Sequence, residues 1–286
     1  MKKGMKKLAA VCAAIMLLFT GSIITGCELG PKIYEEGDFK YFISERTVTN
    51  ETGKRKNVKE IGLDGLTEEG KQKEIIVVPS EIKGFPVTSL SRGGWFWAEG
   101  EETELDSGML ESENLKAIYL PKGIKVTAVK TFDQCPNLEK IVVISAHAMF
   151  PFPDKLYEST TKANKYMVNY LEDFKYLDEN GTADFYGFSH EKKPSVYYAN
   201  ISYYYNYESA ENEGFYWIDN FAYGEKIGYI PEEPKRTGYT FGGWYKEAEC
   251  ENKWIFNSDT LPQAKYNENG DELYQETKLY AKWIEN

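Results

Sequence analysis

The sequence predicts a mainly β protein, in which a short, irregular solenoid of stacked strands precedes a small C-terminal β domain. The first observation is a seven-residue pattern at 114–120 that returns at 137–143, so that equivalent residues lie 23 positions apart. A fixed period of about 20–29 residues is typical of solenoids. The second observation is a C-terminal part with short aromatic runs between Gly, Pro and Asn residues, which is typical of strands joined by turns.

The first 26 residues do not belong to the predicted fold. They hold four lysines, a short apolar run at 8–19 and then Ile24-Thr25-Gly26-Cys27. This start resembles a bacterial lipoprotein signal peptide, and the run is too short for an ordinary membrane span. The resemblance implies that acyl chains such as palmitate on Cys27 anchor the protein to the extracellular face of the bacterial membrane. The alternative is a soluble secreted protein with Cys27 free.

Residues 27–36 are expected to be a tether, and residues 37–153 the repeat domain. Phe39–Ile43 and Ile61–Leu63 are predicted strands, separated by a polar turn at 50–57. The first full coil is expected to begin at 75–79. Proline cannot donate to a strand ladder, so Pro151 and Pro153 are expected to end the solenoid.

The repeated pattern itself predicts two stacked strands, at 117–120 and 140–143. Alternation places Ile118 and Leu120 on one face of the first strand, and Ile141 and Val143 take the same positions in the second. One coil cannot bury this face alone, whereas stacked coils join such faces into a continuous core.

Other residues of the coils are expected to complete that core or to join neighbouring coils. Phe132, Leu115 and Leu138 are predicted core residues, and Cys135 occupies a position that is usually buried. Asn114 and Asn137 share a register. Their amides either bond backbone groups of neighbouring coils or belong to ordinary turns.

The run from Leu115 to Ile141 resembles BspA-like leucine-rich repeats. It follows that family's order of aliphatic-x-aliphatic-Pro, an aliphatic turn, an aromatic residue, a small Cys-type residue and a new Leu. The segment 76–90 resembles the opening coil of the family. The resemblance implies a short leucine-rich-repeat solenoid.

An insertion at about 91–107 interrupts the repeat. It carries Gly93-Gly94 followed by Trp95, Phe96 and Trp97, and then a run of acidic residues. One interpretation is an aromatic ligand-binding platform rimmed by acids, because aromatic side chains are favoured at binding surfaces. The other is a cap that folds over an irregular coil edge.

Residues 154–196 are expected to be a partly helical connector. Tyr166, Met167, Tyr170 and Phe174 form a stripe with helical spacing, which predicts a helix of about 15 residues within 156–177.

Residues 197–286 are predicted to form the C-terminal domain. Strands are expected at 200–207 and 215–221, and Leu279 and Ala281 alternate with polar residues on a last strand. The stretch 200–283, with Gly242-Gly243 before Trp244, resembles the internalin B-repeat. That resemblance implies a β-grasp-like fold, with the aromatic side chains in its core.

Charge and motifs limit the function classes. The net charge is −11, and removal of residues 1–26 takes away four lysines and no acid. An acidic surface argues against nucleic acid as a partner. The sequence contains no G-x-S-x-G, H-E-x-x-H, Walker A or dinucleotide-binding pattern, and its only two histidines, His147 and His190, lack neighbours at metal-ligand spacing. Its many carboxylates leave a glycosidase-type acid pair open, but acidic side chains are solvated surface groups by default. We therefore expect no enzyme activity, no cofactor and no metal site.

Two functions from different classes remain. The first is a cell-surface binding or adhesion module for host or extracellular protein or glycan, acting through the repeat face, the aromatic insertion or both. The second is a passive spacer or scaffold of a surface assembly without a ligand of its own.

Overall fold

A computed structural model describes residues 31–49, 53–90, 110–121, 123–124, 131–132, 134–144, 166–169 and 195–286. This part of the chain is mainly β, as predicted, and its only helices are two 3-10 turns at Gly70–Gln72 and Asn212–Gly214. No helix in these ranges is long and apolar enough to cross a membrane. In chain order the strands are β1 (Tyr34–Glu36), β2 (Phe39–Thr49), β3 (Arg55–Leu66), β4 (Ile75–Val77), β5 (Glu81–Ile82), β6 (Phe85–Ser89), β7 (Ala117–Pro121), β8 (Lys140–Ile144), β9 (Tyr166–Asn169), β10 (Ser195–Tyr198), β11 (Ile201–Tyr204), β12 (Phe215–Asp219), β13 (Tyr239–Tyr245), β14 (Lys265–Tyr266), β15 (Glu272–Leu273) and β16 (Thr277–Glu285).

The first sheet has the strand order β1-β2-β3-β6-β5 and is built on the long antiparallel hairpin of β2 and β3. Phe39 and Tyr41 on β2, and Ile61 and Leu63 on β3, are buried in the same apolar cluster. The predicted strands at 39–43 and 61–63 therefore exist, and both are longer than expected. Strand β6 pairs with β3 in parallel and so extends this sheet on the side of β3 that faces away from β2.

The second sheet, called here the repeat sheet, consists of β4, β7, β8, β9 and β10, all paired in parallel. Ala117 of β7 pairs with Lys140 of β8, which is the 23-residue offset of the sequence pattern. Ile75 of β4 pairs with Ala117, 42 residues later, so the insertion is extra chain between two neighbouring strands. The repeat sheet therefore has the parallel register that stacked coils require.

The inner face of the repeat sheet lies in an apolar cluster that it shares with the first sheet. Ile118, Leu120, Ile141 and Val143 are buried there, as the alternation predicted. Phe132 is 0% exposed and lies in the same cluster, which confirms it as a core residue. Its other predicted members, Leu115, Leu138 and Cys135, are buried in this cluster as well. Full burial of each large apolar side chain stabilises the fold by roughly 1.5–3 kcal/mol.

The two repeat asparagines join neighbouring coils. The Asn114 side-chain N–H donates to the Lys71 carbonyl at 3.0 Å, and the Asn137 side-chain N–H donates to the Glu113 carbonyl at 2.7 Å. Both amides thus satisfy a backbone acceptor of the preceding coil. This agrees with the first of the two interpretations and not with ordinary turn asparagines.

The predicted helix within 156–177 is wrong at its centre, because Tyr166–Asn169 form strand β9. This strand pairs with the edge of β8, and β10 pairs with β9, so the repeat sheet continues beyond position 153. An apolar stripe of a few residues fits a helix or a strand equally well. The unpaired backbone groups along β8 decide the outcome, because a parallel strand satisfies them and a helix does not. Tyr170 and Phe174 lie outside the described residues.

The third sheet, called here the C-terminal sheet, has the order β12-β11-β16-β13. Its central pair, β11 and β16, is parallel, and both outer pairs are antiparallel. The segment between β12 and β13 holds no helix. Leu279 and Ala281 are buried as predicted, and Gly243 has φ 109° at the bulge in β13 beside Trp244. Strands β14 and β15 form a separate small hairpin.

Candidate functional site: two sheet faces and an arginine–aromatic surface

The site residues that the sequence singled out lie outside the described residues. These are Cys27 and the insertion residues Trp95, Phe96 and Trp97. The described residues that flank the insertion, Leu90 and Leu110, are both fully buried in the inner cluster. Buried residues of the inner cluster therefore lie on both sides of the insertion in the sequence. Whether it is a binding platform or a cap stays a prediction.

The outer face of the repeat sheet is covered by the C-terminal sheet. Ala117, Tyr119 and Val142 point away from the inner cluster and belong to a second buried cluster with Trp217 and Ile218 of β12. The Tyr119 ring lies 4.7 Å from the Trp217 ring, measured between centroids. The two predicted domains are thus in direct apolar contact. In this arrangement the repeat face that was a candidate ligand surface is buried by the protein itself.

A buried polar group lies at the centre of this contact. The Asp219 carboxylate on β12 is 0% exposed. One of its oxygens accepts a bond from the Lys140 ammonium at 2.5 Å, and the other accepts from the Tyr119 hydroxyl at 2.5 Å. The Asn220 backbone N–H also donates to it at 2.7 Å. Three donors, two of them from the repeat sheet, therefore satisfy one carboxylate of the C-terminal sheet.

The electrostatics of this group are set by burial. Burial raises the pKa of Asp219, and the nearby Lys140 ammonium, the Tyr119 hydroxyl and the Asn220 N–H oppose that rise. Lys140 also donates to the Asn220 carbonyl at 3.0 Å and lies 4.2 Å from the centre of the Phe221 ring. Removing one member of such a buried pair costs more than the pair contributes, because the other charge stays buried without compensation.

A second surface lies on the C-terminal sheet and is called here the arginine–aromatic surface. Its members are all half-buried: Tyr205, Tyr207, Tyr216, Arg236, Tyr239, Phe241 and Trp283. The Arg236 guanidinium lies 3.7 Å from the centre of the Tyr239 ring and 4.4 Å from that of the Tyr207 ring. Edge-on ring contacts continue from Tyr207 to Trp283 at 6.0 Å, and then to Phe241 at 5.9 Å. Aromatic rings are therefore presented at the surface around one cation.

Reasoning from sequence placed the C-terminal aromatic residues in a core, and the structure divides them. Tyr203, Trp217, Trp244 and Trp254 are buried, whereas the arginine–aromatic surface is half-exposed. The sequence feature that could have predicted this surface is local, because Arg236 precedes Tyr239 by only three residues across a tight turn. The signal for the contact between sheets was the apolar run 117–120, which has apolar residues on both faces, as in strands buried on both sides.

Metal-binding groups, thiols and histidines are further candidates for site residues. The described ranges contain no group of three His, Cys, Asp or Glu side chains that could hold a metal ion. Cys135 and Cys250 are both free thiols, the first buried and the second half-buried. His147 and His190 lie outside these ranges.

Comparison with known families identifies one part of the chain. Residues 200–267 match the Listeria-Bacteroides repeat domain. The matched residues begin at the C-terminal sheet and fall within 200–283, the stretch whose resemblance to the internalin B-repeat predicted a bacterial surface repeat. The match therefore fits a surface-associated repeat protein of bacteria. It covers only part of the chain, and the search of curated proteins found no match.

Proposed function

We propose that this chain is a lipid-anchored bacterial surface protein that binds an extracellular protein or glycan, without a catalytic step. Two observations support a location on the bacterial cell surface. The Listeria-Bacteroides repeat domain at 200–267 fits surface-associated repeat proteins, and residues 1–27 have the pattern of a lipoprotein signal ending at Cys27. The lipid on Cys27 is the membrane partner in this proposal.

We assign the N-terminal part to the BspA-like leucine-rich repeats. Three features support this assignment: the 23-residue register of β7 and β8, the burial of Leu115, Leu138 and Phe132, and the asparagine amides that bond the preceding coil. Repeat proteins of this kind present extended surfaces for partners. The outer face of this sheet is already occupied by β12, so we place ligand binding elsewhere.

The arginine–aromatic surface is the observation that carries a binding function. Half-exposed tyrosine and tryptophan rings and arginine are the side chains most enriched at binding hot spots. Here Arg236 lies together with four tyrosines, one tryptophan and one phenylalanine. A passive spacer gains nothing from holding these rings at its surface, because their burial would stabilise the domain.

The second candidate is a passive spacer or scaffold. It is favoured by the contact between the sheets, because the buried pair of Lys140 and Asp219 fixes the two sheets relative to each other. A rigid connection of this kind suits a protein whose task is to hold its neighbours at a set distance.

A binding screen separates the two candidates. The chain without residues 1–27 retains every described residue and can be applied to arrays of glycans and extracellular-matrix proteins. We expect binding to at least one class of ligand. If neither the arrays nor intact cells retain the protein, the spacer is the better description.

The insertion is tested in the same screen with Trp95→Ala/Trp97→Ala. A binding platform loses ligand and keeps its melting temperature, whereas a cap loses many degrees of melting temperature. Phe96→Ala is the matched control, because Phe96 points to the opposite side if the insertion is extended.

The membrane anchor is tested by metabolic labelling with a palmitate analogue. We expect label on the wild-type protein and on Cys250→Ala, and none on Cys27→Ala. Cys250 is a suitable control because it is a half-buried free thiol far from the N-terminus. Equal labelling of the wild-type protein and Cys27→Ala contradicts the lipoprotein assignment.

A further inference from the structure

The Arg236 side chain is held against aromatic rings. In the described part of the chain its guanidinium makes neither an ion pair nor a side-chain hydrogen bond, and its contacts are with the rings of Tyr239, Tyr207 and Trp283 at 3.7, 4.4 and 5.9 Å. Two other cations of the C-terminal domain are paired with carboxylates. Lys246 lies 3.2 Å from Asp259, and Lys278 lies 3.6 Å from Glu276.

The polar groups of the surrounding rings divide in the same way. Two of them are satisfied within the protein: the Tyr205 hydroxyl donates to Glu211 at 2.9 Å, and the Trp283 indole N–H donates to the Tyr205 carbonyl at 2.5 Å. Among the described residues, the hydroxyls of Tyr207 and Tyr239 have no such partner. Two hydroxyls and one guanidinium are therefore available to a ligand at a single place.

The site is also held in position before any ligand binds. Tyr207 contacts Trp283, Trp283 contacts Phe241, and Phe241 contacts the buried Trp244 at 5.2 Å. The outer rings are thus connected by packed rings to the core of the C-terminal sheet. Side chains already ordered in this way lose little conformational entropy on binding.

The chemistry of the site selects the ligand. A guanidinium with free N–H groups binds a carboxylate through two parallel hydrogen bonds, and the half-exposed rings beside it offer apolar contact area. The charge nearby argues against a polyanion, because Glu208 follows Tyr207 and Glu285 pairs with Tyr239, and both glutamates are exposed. A ligand with one carboxylate on an otherwise neutral ring meets less repulsion than a sulfated or phosphorylated polymer.

We propose that Arg236, Tyr207 and Tyr239 bind the carboxylate and ring of an acidic sugar. This inference rests on the proposed binding function and names the ligand class of its arginine–aromatic surface. The carboxylate lies against the guanidinium edge, and the sugar ring lies against the neighbouring aromatic rings.

The test uses saturation-transfer NMR on the chain without residues 1–27. Methyl glucuronide is the probe, and methyl glucoside is its neutral counterpart. We expect transfer to the glucuronide that falls at least fivefold in Arg236→Gln, and a much weaker signal from the glucoside. Lys282→Gln is the matched control, since Lys282 lies 5.0 Å from the Tyr245 ring and outside this surface; its signal should equal that of the wild-type protein.

A second variant guards against loss of fold. Arg236→Lys keeps the positive charge beside the rings and loses the planar donor pair, so we expect weaker glucuronide binding with an unchanged melting temperature. Undiminished binding in both Arg236 variants overturns the proposal. Equal binding of glucoside, or full displacement of the glucuronide by an acetylated glutamate peptide, also overturns it, because the site then recognises no acidic sugar as such.

The outcome is separable from that of the proposed function. If matrix or glycan arrays retain wild-type protein and Arg236→Gln equally, the acidic-sugar site is wrong while the binding function holds. If the arrays retain neither and the glucuronide gives no signal, both are wrong.

Discussion

The two faces of the repeat sheet are buried by different means. The inner face places aliphatic side chains such as Ile118 and Ile141 in a cluster of buried apolar residues. The outer face, one residue away along each strand, places Tyr119 and Lys140 against Asp219 of the C-terminal sheet. The same short strands therefore make apolar contacts on one face, and on the other face they also form directional hydrogen bonds and an ion pair.

This difference separates two tasks. Apolar burial is roughly proportional to area and tolerates small shifts, so the inner face stabilises the coils without fixing fine geometry. A buried ion pair is satisfied in one arrangement only, and its net contribution to stability is small compared with the cost of breaking it. The outer face thus selects how the C-terminal sheet sits on the repeat sheet.

The largest expected effect is on the inner face. Phe132→Ala should lower the free energy of unfolding by about 3–5 kcal/mol, because it removes a fully buried ring and leaves a cavity. Chemical denaturation monitored by circular dichroism measures it. Ile43→Ala is the control, because Ile43 is 36% exposed and its loss should change stability little. A loss below about 1 kcal/mol for Phe132→Ala would contradict its place in the core.

The next effect tests the outer face. Lys140→Met leaves the Asp219 carboxylate buried without its cation, which should cost about 3–5 kcal/mol. The matched control is Lys116→Met, because Lys116 pairs with Glu74 at 2.8 Å in solvent and should be nearly neutral. The double variant Lys140→Met/Asp219→Asn should recover part of the loss, since no charge is then buried. If the double variant is as unstable as the sum of its single variants, the pair makes no selective contribution.

The pH dependence of Lys140→Met has a definite sign. Loss of the ammonium removes the main influence that holds down the pKa of Asp219, a pKa already raised by burial above 3.8. The carboxyl of the variant therefore takes up a proton at a higher pH than that of the wild-type protein. The stability difference between the two proteins should shrink as the pH falls towards the ordinary carboxyl range. A difference that grows on acidification would contradict this explanation.

The local sequence pattern predicted most of the packing on the inner face. The contact of the outer face with the C-terminal sheet was not predicted. The offset from Ala117 to Lys140, the burial of Phe132 and the roles of Asn114 and Asn137 all follow from a repeat whose members lie close in sequence. Asp219 lies 100 residues from Tyr119, and no local period connects them. Strand β9 was missed for a related reason, because its four residues become a strand only through the partner edge of β8.

The smallest expected effect belongs to the amides that connect the coils. Asn137→Ala removes the 2.7 Å bond to the Glu113 carbonyl, and a single hydrogen bond of this kind contributes about 0.5–1.5 kcal/mol. Asn257→Ala is the control, because Asn257 is an exposed turn residue without a side-chain hydrogen bond in the described part of the chain. Asn137→Asp should be at least as harmful as Asn137→Ala, because an ionised carboxylate faces the carbonyl oxygen with no N–H to donate.

These amides are polar but lie just before the strands that carry the inner face. If Asn137→Ala weakens only the contact between the repeat sheet and the C-terminal sheet, directional hydrogen bonds matter on the outer face alone. If stability falls while that contact is preserved, the repeat sheet itself also depends on directional hydrogen bonds.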